Sequence, residues 1–410
     1  MPLAVLALAL AVAAVARPAD AQTAPLTLRQ AVDLAEQRSP LRSSASAVAE
    51  GAGLAAQYAG RLINPFIDVR FENIGPRSAL VPALDSFAVA SQPIELAGKR
   101  GARRRLADAE SDSADLVLRT VERQIALDTM RTYMRAVRAR DVLSTISLQR
   151  DGVLTLVQTM RRRFEEGFAP EADLMRFEAE SARIGAEVTR TEIELTRALL
   201  DLGAIIGSPA PIDPAQLVRP EPIAVPEIQD AAIAAAIERR PDLRLAAARV
   251  EQARLAADIE RLRRIPDPII NAGYKRTMGV DTGVAGLTLA LPVFDTNAQA
   301  RARADASTRA ASFDLATLRM RAVAEAQASL SAARALAASA SRIQTELMEP
   351  AEGVRNAARA TFREGAADVL RLVDAERVYA DVQREALALS VDAFIASIEA
   401  RFALAEEDIP

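Results

Sequence analysis

The sequence predicts a mainly α-helical protein with a small β part, and three observations carry that prediction. Its 410 residues are dominated by Ala, Leu, Arg, Glu and Asp, with 4% aromatics, no Trp and only 17 Gly, a profile of long helices rather than of a compact mixed core. Landmark motifs recur at offsets near 200 residues, so the chain is two copies of one unit. Two short stretches in each copy alternate apolar and polar residues, the period of a half-buried strand.

The first element is an apolar run from Leu3 to Val15 followed by Ala19-Asp20-Ala21. The run is too short to span a bilayer and ends in a small-x-small cleavage site, so residues 1–21 read as a signal peptide. No Cys follows the cleavage site, and the expected mature N-terminus carries no lipid.

Residues 22–206 form the first copy and 228–408 the second. In each, a short helix (about Thr27–Arg38; Ile228–Arg239) breaks at Pro40 or Pro241, and a second helix runs to about Leu62 or Arg264. Strand pairs follow at about 65–96 and 268–293. Phe66 to Glu72 alternates cleanly, with Ile67, Val69 and Phe71 on one face and Asp68, Arg70 and Glu72 on the other. After a turn around Gly75-Pro76, Phe87 to Leu96 gives the second strand. In the other copy Ile269–Arg276 turns near Gly279–Gly283 into Gly286–Val293, with Leu287, Leu289 and Leu291 sharing a face.

Such strands suit a soluble hairpin, and equally a membrane barrel with lipid outside and a watery lumen inside. Four strands cannot close a barrel, so a membrane reading requires neighbouring protomers to complete the sheet.

Each copy then launches a very long helix, about Gly98–Phe164 and Asn297–Phe362, each on the order of 100 Å. Gly167 and Gly365 turn the chain, and return helices run over Glu171–Ile206 and Ala367–Glu406. The two helical hairpins therefore occupy 98–206 and 297–406. Between the copies, residues 207–227 hold Pro209, Pro211, Pro214, Pro220, Pro222 and Pro226; this connector is extended and runs along the outside of the helices.

The absence of Cys and His excludes thiol chemistry, the usual zinc ligand set and His-based acid–base catalysis. The chain reads as no enzyme, with no cofactor and no protein metal site. A net charge of -4 with both signs interspersed leaves no basic footprint for nucleic acid.

The paired strand starts Asn64-Pro65 and Asp267-Pro268 carry a family resemblance, together with Gln92-Pro93-Ile94-Glu95-Leu96-Ala97-Gly98-Lys99-Arg100 and Leu291-Pro292-Val293-Phe294. So do the two tips, Phe164-Glu165-Glu166-Gly167 and Phe362-Arg363-Glu364-Gly365, the latter followed by Leu372-Val373-Asp374-Ala375-Glu376. In order and spacing these resemble the TolC-like outer membrane factors, in particular the CzcC/CusC-like branch serving heavy-metal efflux pumps.

The resemblance implies a homotrimer in the outer membrane of a Gram-negative bacterium, with a twelve-stranded β-barrel and a periplasmic α-helical tunnel. It implies lipid contact at Ile67, Val69, Phe71, Leu287, Leu289 and Leu291. The tips, Phe164, Glu166, Gly167, Phe168, Phe362, Glu364, Gly365 and Ala366, would meet a periplasmic adaptor (membrane fusion protein) that joins the duct to an inner-membrane RND-type pump. Acidic residues form the family's periplasmic gate; Asp374, nine residues after Gly365, falls on such a position, and Asp173, six after Gly167, matches an acidic position of the first copy. Arg371 stands where TolC has an acidic residue, and Asp173 with Arg176 against Arg371 with Asp374 is where the copies differ. The alternative is a periplasmic coiled-coil adaptor outside the membrane, although adaptors carry one hairpin and this chain has two.

Overall fold

The computed structural model describes residues 25–75, 84–364 and 369–406. The signal-peptide stretch 1–21, Pro76 of the first turn, and Gly365 and Ala366 of the second tip lie outside the described residues.

The chain opens with α1 (Leu28–Arg38) and α2 (Pro40–Ala59). Thr27 and Gln30 start α1 through a reciprocal capping box, the Thr27 hydroxyl accepting from the Gln30 amide at 3.2 Å and the Gln30 side chain accepting from the Thr27 amide at 2.9 Å. Pro40 sits in the first turn of α2, where its missing N–H costs nothing. Strands β1 (Phe66–Glu72) and β2 (Asp85–Pro93) lead into α3 (Lys99–Glu165), 67 residues long and so about 100 Å. The return helix α4 (Glu171–Ile205) completes the first hairpin. The second copy repeats the order with α5 (Asp230–Ile237), α6 (Pro241–Leu262), β3 (Ile269–Thr277), β4 (Val280–Thr288) and α7 (Ala298–Arg342). A π-helical turn over Ile343–Met348 then leads into α8 (Glu349–Arg363), and α9 (Val369–Ala403) returns.

The four strands form one antiparallel sheet in the order β1-β2-β3-β4. Pairing of β2 with β3 joins the two copies, and β1 and β4 are its open edges. The helices continue that lateral order: α2 packs on α3, α3 on α6 and α6 on α7. Farther from the sheet α4 packs on α3, α3 on α9 and α9 on α7 and α8. The protomer is therefore a row of four helical staves below four strands. Among the described residues no helix is long and apolar enough to cross a membrane.

The main core lies midway along the staves, where α1, the middle of α3, the end of α4 and α9 converge on Tyr133, Met130, Leu202, Phe394 and Phe402. The Pro-rich connector packs onto it through Ile212 and Leu217. Leu217 pairs with Leu26 in a parallel bridge, the Leu26 amide donating to the Gln216 carbonyl at 2.8 Å and the Val218 amide to the Leu26 carbonyl at 3.2 Å.

Strand β2 runs over Asp85–Pro93 rather than Phe87–Leu96, and two differences from the sequence reading are larger. The turn of the second strand pair is only Met278-Gly279, both with positive φ (53° and 83°), the two-residue geometry that matches strand twist. It starts β4 at Val280, six residues before the expected Gly286, and Ile269, the first residue of β3, is already opposite Thr288. Nothing on β3 remains to pair with Leu289 and Leu291, so both follow the strand rather than lie within it. The second long helix is not continuous either. Pro350 lacks an N–H and its ring crowds the carbonyl four residues back; the helix widens into the π turn immediately before it.

Candidate functional site

Cross-strand register sorts the sheet into two faces. Ile67, Ala90, Ala272 and Ala285 stand opposite one another, as do Val69, Ala88, Tyr274 and Gly283, and Ile270 stands opposite Leu287. Ile67, Val69, Phe71 and Leu287 thus share one apolar, exposed face. The other face presents Asp68, Arg70, Asn271, Lys275, Thr282 and Thr288. Ser91, Asn271 and Thr288 form a hydrogen-bonded chain across three strands of it, at 2.8 and 2.9 Å. The first face is apolar except at its turn end, where Ser86, Arg276 and Asp281 stand beside Phe71, and the second is mixed, with Phe66, Phe87, Val89 and Val284 among its polar groups; with its free edges, such a sheet fits a bilayer on the first side and water on the second.

Gly273 is where the middle strands come closest. A Cβ there would lie 2.2 Å from the Ala88 carbonyl oxygen and 2.7 Å from the Val89 Cα, so only glycine fits.

At the first tip, Gly167 takes the left-handed conformation (φ 78°), and the Phe168 amide donates to the Arg163 carbonyl at 2.7 Å, closing α3. Phe168 is 80% exposed and Phe164 39%; Glu166 and Glu364 are exposed as well. Phe362 is not presented this way. It is 5% exposed and packs edge-on against Phe177 of α4, ring centroids 6.4 Å apart, with Arg163 over its ring at 5.2 Å. Phe362 therefore joins the two hairpins in a shared apolar core with Val157, Met160, Leu174 and Leu372, and is not a surface contact in this chain.

The expected gate residues fall into two separate sets. Asp173 and Arg176 on the first turns of α4 approach each other at 3.9 Å. Arg371 and Asp374 on α9 line a groove of about 640 Å³ with Leu347, Pro350, Val354 and Val378. Neither Arg371 nor Asp374 has an ion pair among the described residues, and no hydrogen bond or ion pair among these residues joins the two sets.

Sequence reasoning missed the ion pairs that fasten this end of the bundle. Arg377 of α9 pairs with Glu180 of α4 at 2.9 Å, and Arg384 of α9 pairs with Glu187 of α4. Glu180 also accepts from Arg183 at 2.7 Å. These hydrogen bonds, the one from Arg183 foremost and then that from Arg377, hold its carboxyl below the ordinary range against the opposing effect of burial. Within the hairpins, Arg161 meets Glu178 at 2.6 Å and Arg359 meets Glu376 at 2.8 Å. Each residue of the second pair lies 198 positions after its counterpart, the spacing of the two tip motifs, and that periodicity was a usable signal.

The model of the family described as "Outer membrane efflux protein" matches residues 84–208 and 232–406, one match in each copy. The nickel and cobalt resistance protein CnrC of Cupriavidus metallidurans is 32% identical over 292 residues, covering 69% of this chain and 67% of that protein. The Campylobacter jejuni CmeC outer membrane channel superposes with a TM-score of 0.78 at 14% identity, over 93% of this chain and 86% of its own. A CusC structure gives 0.77 at 14% identity, over 95% of both chains. The alternative of a single-hairpin adaptor is set aside by these matches. With its duplicated hairpins and two-faced sheet, the chain belongs to the outer membrane efflux protein family, as an efflux channel of the outer membrane and not an enzyme.

Proposed function

We propose that the protein works as a homotrimeric exit duct of a tripartite efflux system and carries metal cations. The observation that carries this reading is the four-stranded sheet with one apolar face and two unpaired edges. In lipid an open edge leaves backbone N–H and C=O groups unsatisfied at several kcal/mol each, by an order-of-magnitude estimate. Edge β4 of one protomer on edge β1 of the next removes the cost, and three sheets supply twelve strands, enough for an aqueous lumen. Ile67, Val69, Phe71 and Leu287 then face lipid, with Leu289 and Leu291 at the periplasmic margin.

The tips around Phe164, Glu166, Gly167 and Phe168 and around Glu364, Gly365 and Ala366 meet the periplasmic adaptor, through which the duct joins an RND-type inner-membrane pump. Resemblance to CnrC supports nickel or cobalt as cargo. Lacking His and Cys, the wall offers neither imidazole nor thiolate to a metal; selection belongs to the pump, and the duct contributes carboxylates that attract cations weakly.

At the periplasmic end Asp374, with Arg371 beside it and Asp173 and Arg176 in the first hairpin, forms the gate. Three copies of an unpaired carboxylate about an axis concentrate negative potential where cations pass. The test has two parts. Outer-membrane fractions yield a band of trimer size that heating converts to monomer, and Asp374→Ala in planar bilayers alters conductance and blockade by multivalent cations. A monomer outside the outer membrane would overturn the duct; unchanged conductance and blockade would overturn only the gate.

A further inference from the structure

The place where sheet becomes helix is built differently in the two copies. In the first, arginines bond back to the end of α2, although the Arg103 Nε is itself buried without an acceptor. Arg100 donates to the Gly60 carbonyl, Arg103 donates to the Arg61 carbonyl at 2.9 Å and pairs with Glu95 at 2.9 Å, and Arg61 lies over the Tyr58 ring at 4.2 Å. In the second copy the corresponding place is a cavity of about 550 Å³. Arg261 at the end of α6 and Arg264 and Ile265 just after it line the cavity, facing Ala298, Arg301 and Asp305 from the start of α7.

The charges of that cavity do not balance. Arg261 pairs with Asp258 and Asp305, both at 2.8 Å, so the one carboxylate in the lining is already satisfied. Arg264 and Arg301 have no ion pair among the described residues, and the Arg301 Nε is buried without an acceptor. An orphaned guanidinium N–H is costly to bury, which marks a missing partner. The N-terminus of α7 is already met by carboxylates: the Asn297 (φ 59°) backbone amide donates to Asp295 at 2.8 Å and its side-chain amide to the backbone carbonyl and carboxylate of Glu260 at 2.8 and 2.7 Å, so the positive charge of the cavity comes from its arginines. Two unpaired guanidiniums, Arg264 exposed and Arg301 half-buried, suit a tetrahedral oxyanion.

The chain entering α7 indicates what carries the anion. Leu291, Val293 and Phe294 lead to the cavity and are all largely exposed, Phe294 completely. They follow the end of β4, starting three residues beyond Thr288, and make a run of exposed apolar side chains after the strand. We propose that the α6–α7 cavity binds the headgroup phosphate of an anionic phospholipid, with Arg264 and Arg301 as donors and the acyl chains along Leu291, Val293 and Phe294. The proposal rests on the sheet lying in a bilayer, and assigns the sheet–helix junction to the periplasmic leaflet surface.

Native mass spectrometry of the purified full-length protein in detergent tests it, with phosphatidylglycerol, phosphatidylcholine and inorganic phosphate as the probes. The expected result is preferential retention of phosphatidylglycerol, reduced about tenfold or more by the double substitution Arg264→Gln/Arg301→Gln, the loss of charge-assisted hydrogen bonds. Arg264→Lys/Arg301→Lys keeps the charge and stays within about threefold of the parent, since only the guanidinium fork is lost. Arg303→Gln, on the same helix but outside the cavity lining, changes nothing. Equal retention of the two lipids overturns the proposal, as does a Gln variant that binds like the parent or a Lys variant as weak as the Gln one. Complete displacement by millimolar inorganic phosphate would assign the site to a free anion and overturn the lipid. None of these outcomes depends on whether the channel conducts, so failure here is distinct from failure of the duct.

Discussion

The Arg377 guanidinium on α9 lies 2.9 Å from the Glu180 carboxylate on α4, tying the second hairpin to the first. Glu180 is 8% exposed and already accepts from Arg183, so this is a partly desolvated charge network rather than a loose surface pair. The pairs inside the hairpins, Arg161–Glu178 and Arg359–Glu376, recur with the repeat; the pairs between hairpins do not. Each hairpin is thereby braced as a unit, and the hairpin-to-hairpin contacts are those that a movement of one hairpin against the other would break.

Replacing Arg377 and Arg384 together by Ala therefore loosens one hairpin from the other while leaving both intact. A charge-assisted hydrogen bond contributes about 1.5–3 kcal/mol when well buried, and half-exposed Arg377 contributes nearer 1 kcal/mol. With both ties gone, the open population in planar bilayers rises by about tenfold, the equivalent of about 1.4 kcal/mol. An unchanged open probability would show that these ties do not hold the gate.

Glu180 gives the same tie a pH dependence whose sign follows from its depressed pKa. Hydrogen bonds, first from Arg183 and then from Arg377, hold the folded-state value below the ordinary 4.5. The stabilisation is fully present above that ordinary value and is lost as pH falls through the lower folded value. Open probability is thus constant from pH 7 to pH 5 as far as Glu180 is concerned, and the tie weakens only in stronger acid. Glu180→Gln removes this acid response. A Glu180-dependent transition between pH 5 and 7 would contradict the assignment.

Much of this was legible in the sequence, and the rest was not for identifiable reasons. Period-two alternation placed β1 at Phe66–Glu72 and put Ile67, Val69 and Phe71 on one face, because alternation fixes sidedness directly. It could not place β4, whose register depends on the Met278-Gly279 turn and on where the partner strand begins. Both tips were marked by Phe, two residues on by Glu, and then Gly. The burial of Phe362 was not, because it depends on Phe177 from the other hairpin. Pro350 is a visible signal for the break in the second long helix, which the sequence reading carried uninterrupted to Phe362. Arg377–Glu180 spans 197 positions and joins two separate hairpins, so no local pattern could reveal it.

Gly273→Ala should disrupt assembly far more than its one added methyl group suggests. The new Cβ would meet the Ala88 carbonyl oxygen at 2.2 Å, and that atom belongs to a paired strand that cannot move alone. Relief requires separating β2 from β3, the ladder that joins the two copies in one sheet. The heat-modifiable trimer band is expected to fall severalfold in outer-membrane fractions, whereas Gly283→Ala, with open space around its Cβ, leaves it unchanged. Equal trimer yields for the two variants would contradict the close approach.

Tyr133 offers a test of how the connector is held. Its ring is fully buried in the main core; its hydroxyl accepts from the Val218 amide at 2.9 Å and lies 2.6 Å from the carbonyls of both Leu26 and Val218. One hydroxyl proton serves two acceptors. Burial, opposed by the hydrogen bonding at Val218, pushes the phenol up, so it remains a donor throughout the neutral range. Tyr133→Phe keeps the packing and removes only these bonds. The Val218 amide retains the Leu26 carbonyl at 3.2 Å, which limits the cost to about 1–2 kcal/mol. Tyr133→Ala also opens a cavity in the core and costs about 3–5 kcal/mol. The two substitutions therefore separate in kind. The Phe variant shows faster amide exchange and proteolysis confined to residues 207–227, with little change in trimer melting, because its loss is local to the connector. The Ala variant lowers trimer melting as a whole. Coincident behaviour of the two would mean that the hydroxyl contributes nothing beyond the ring.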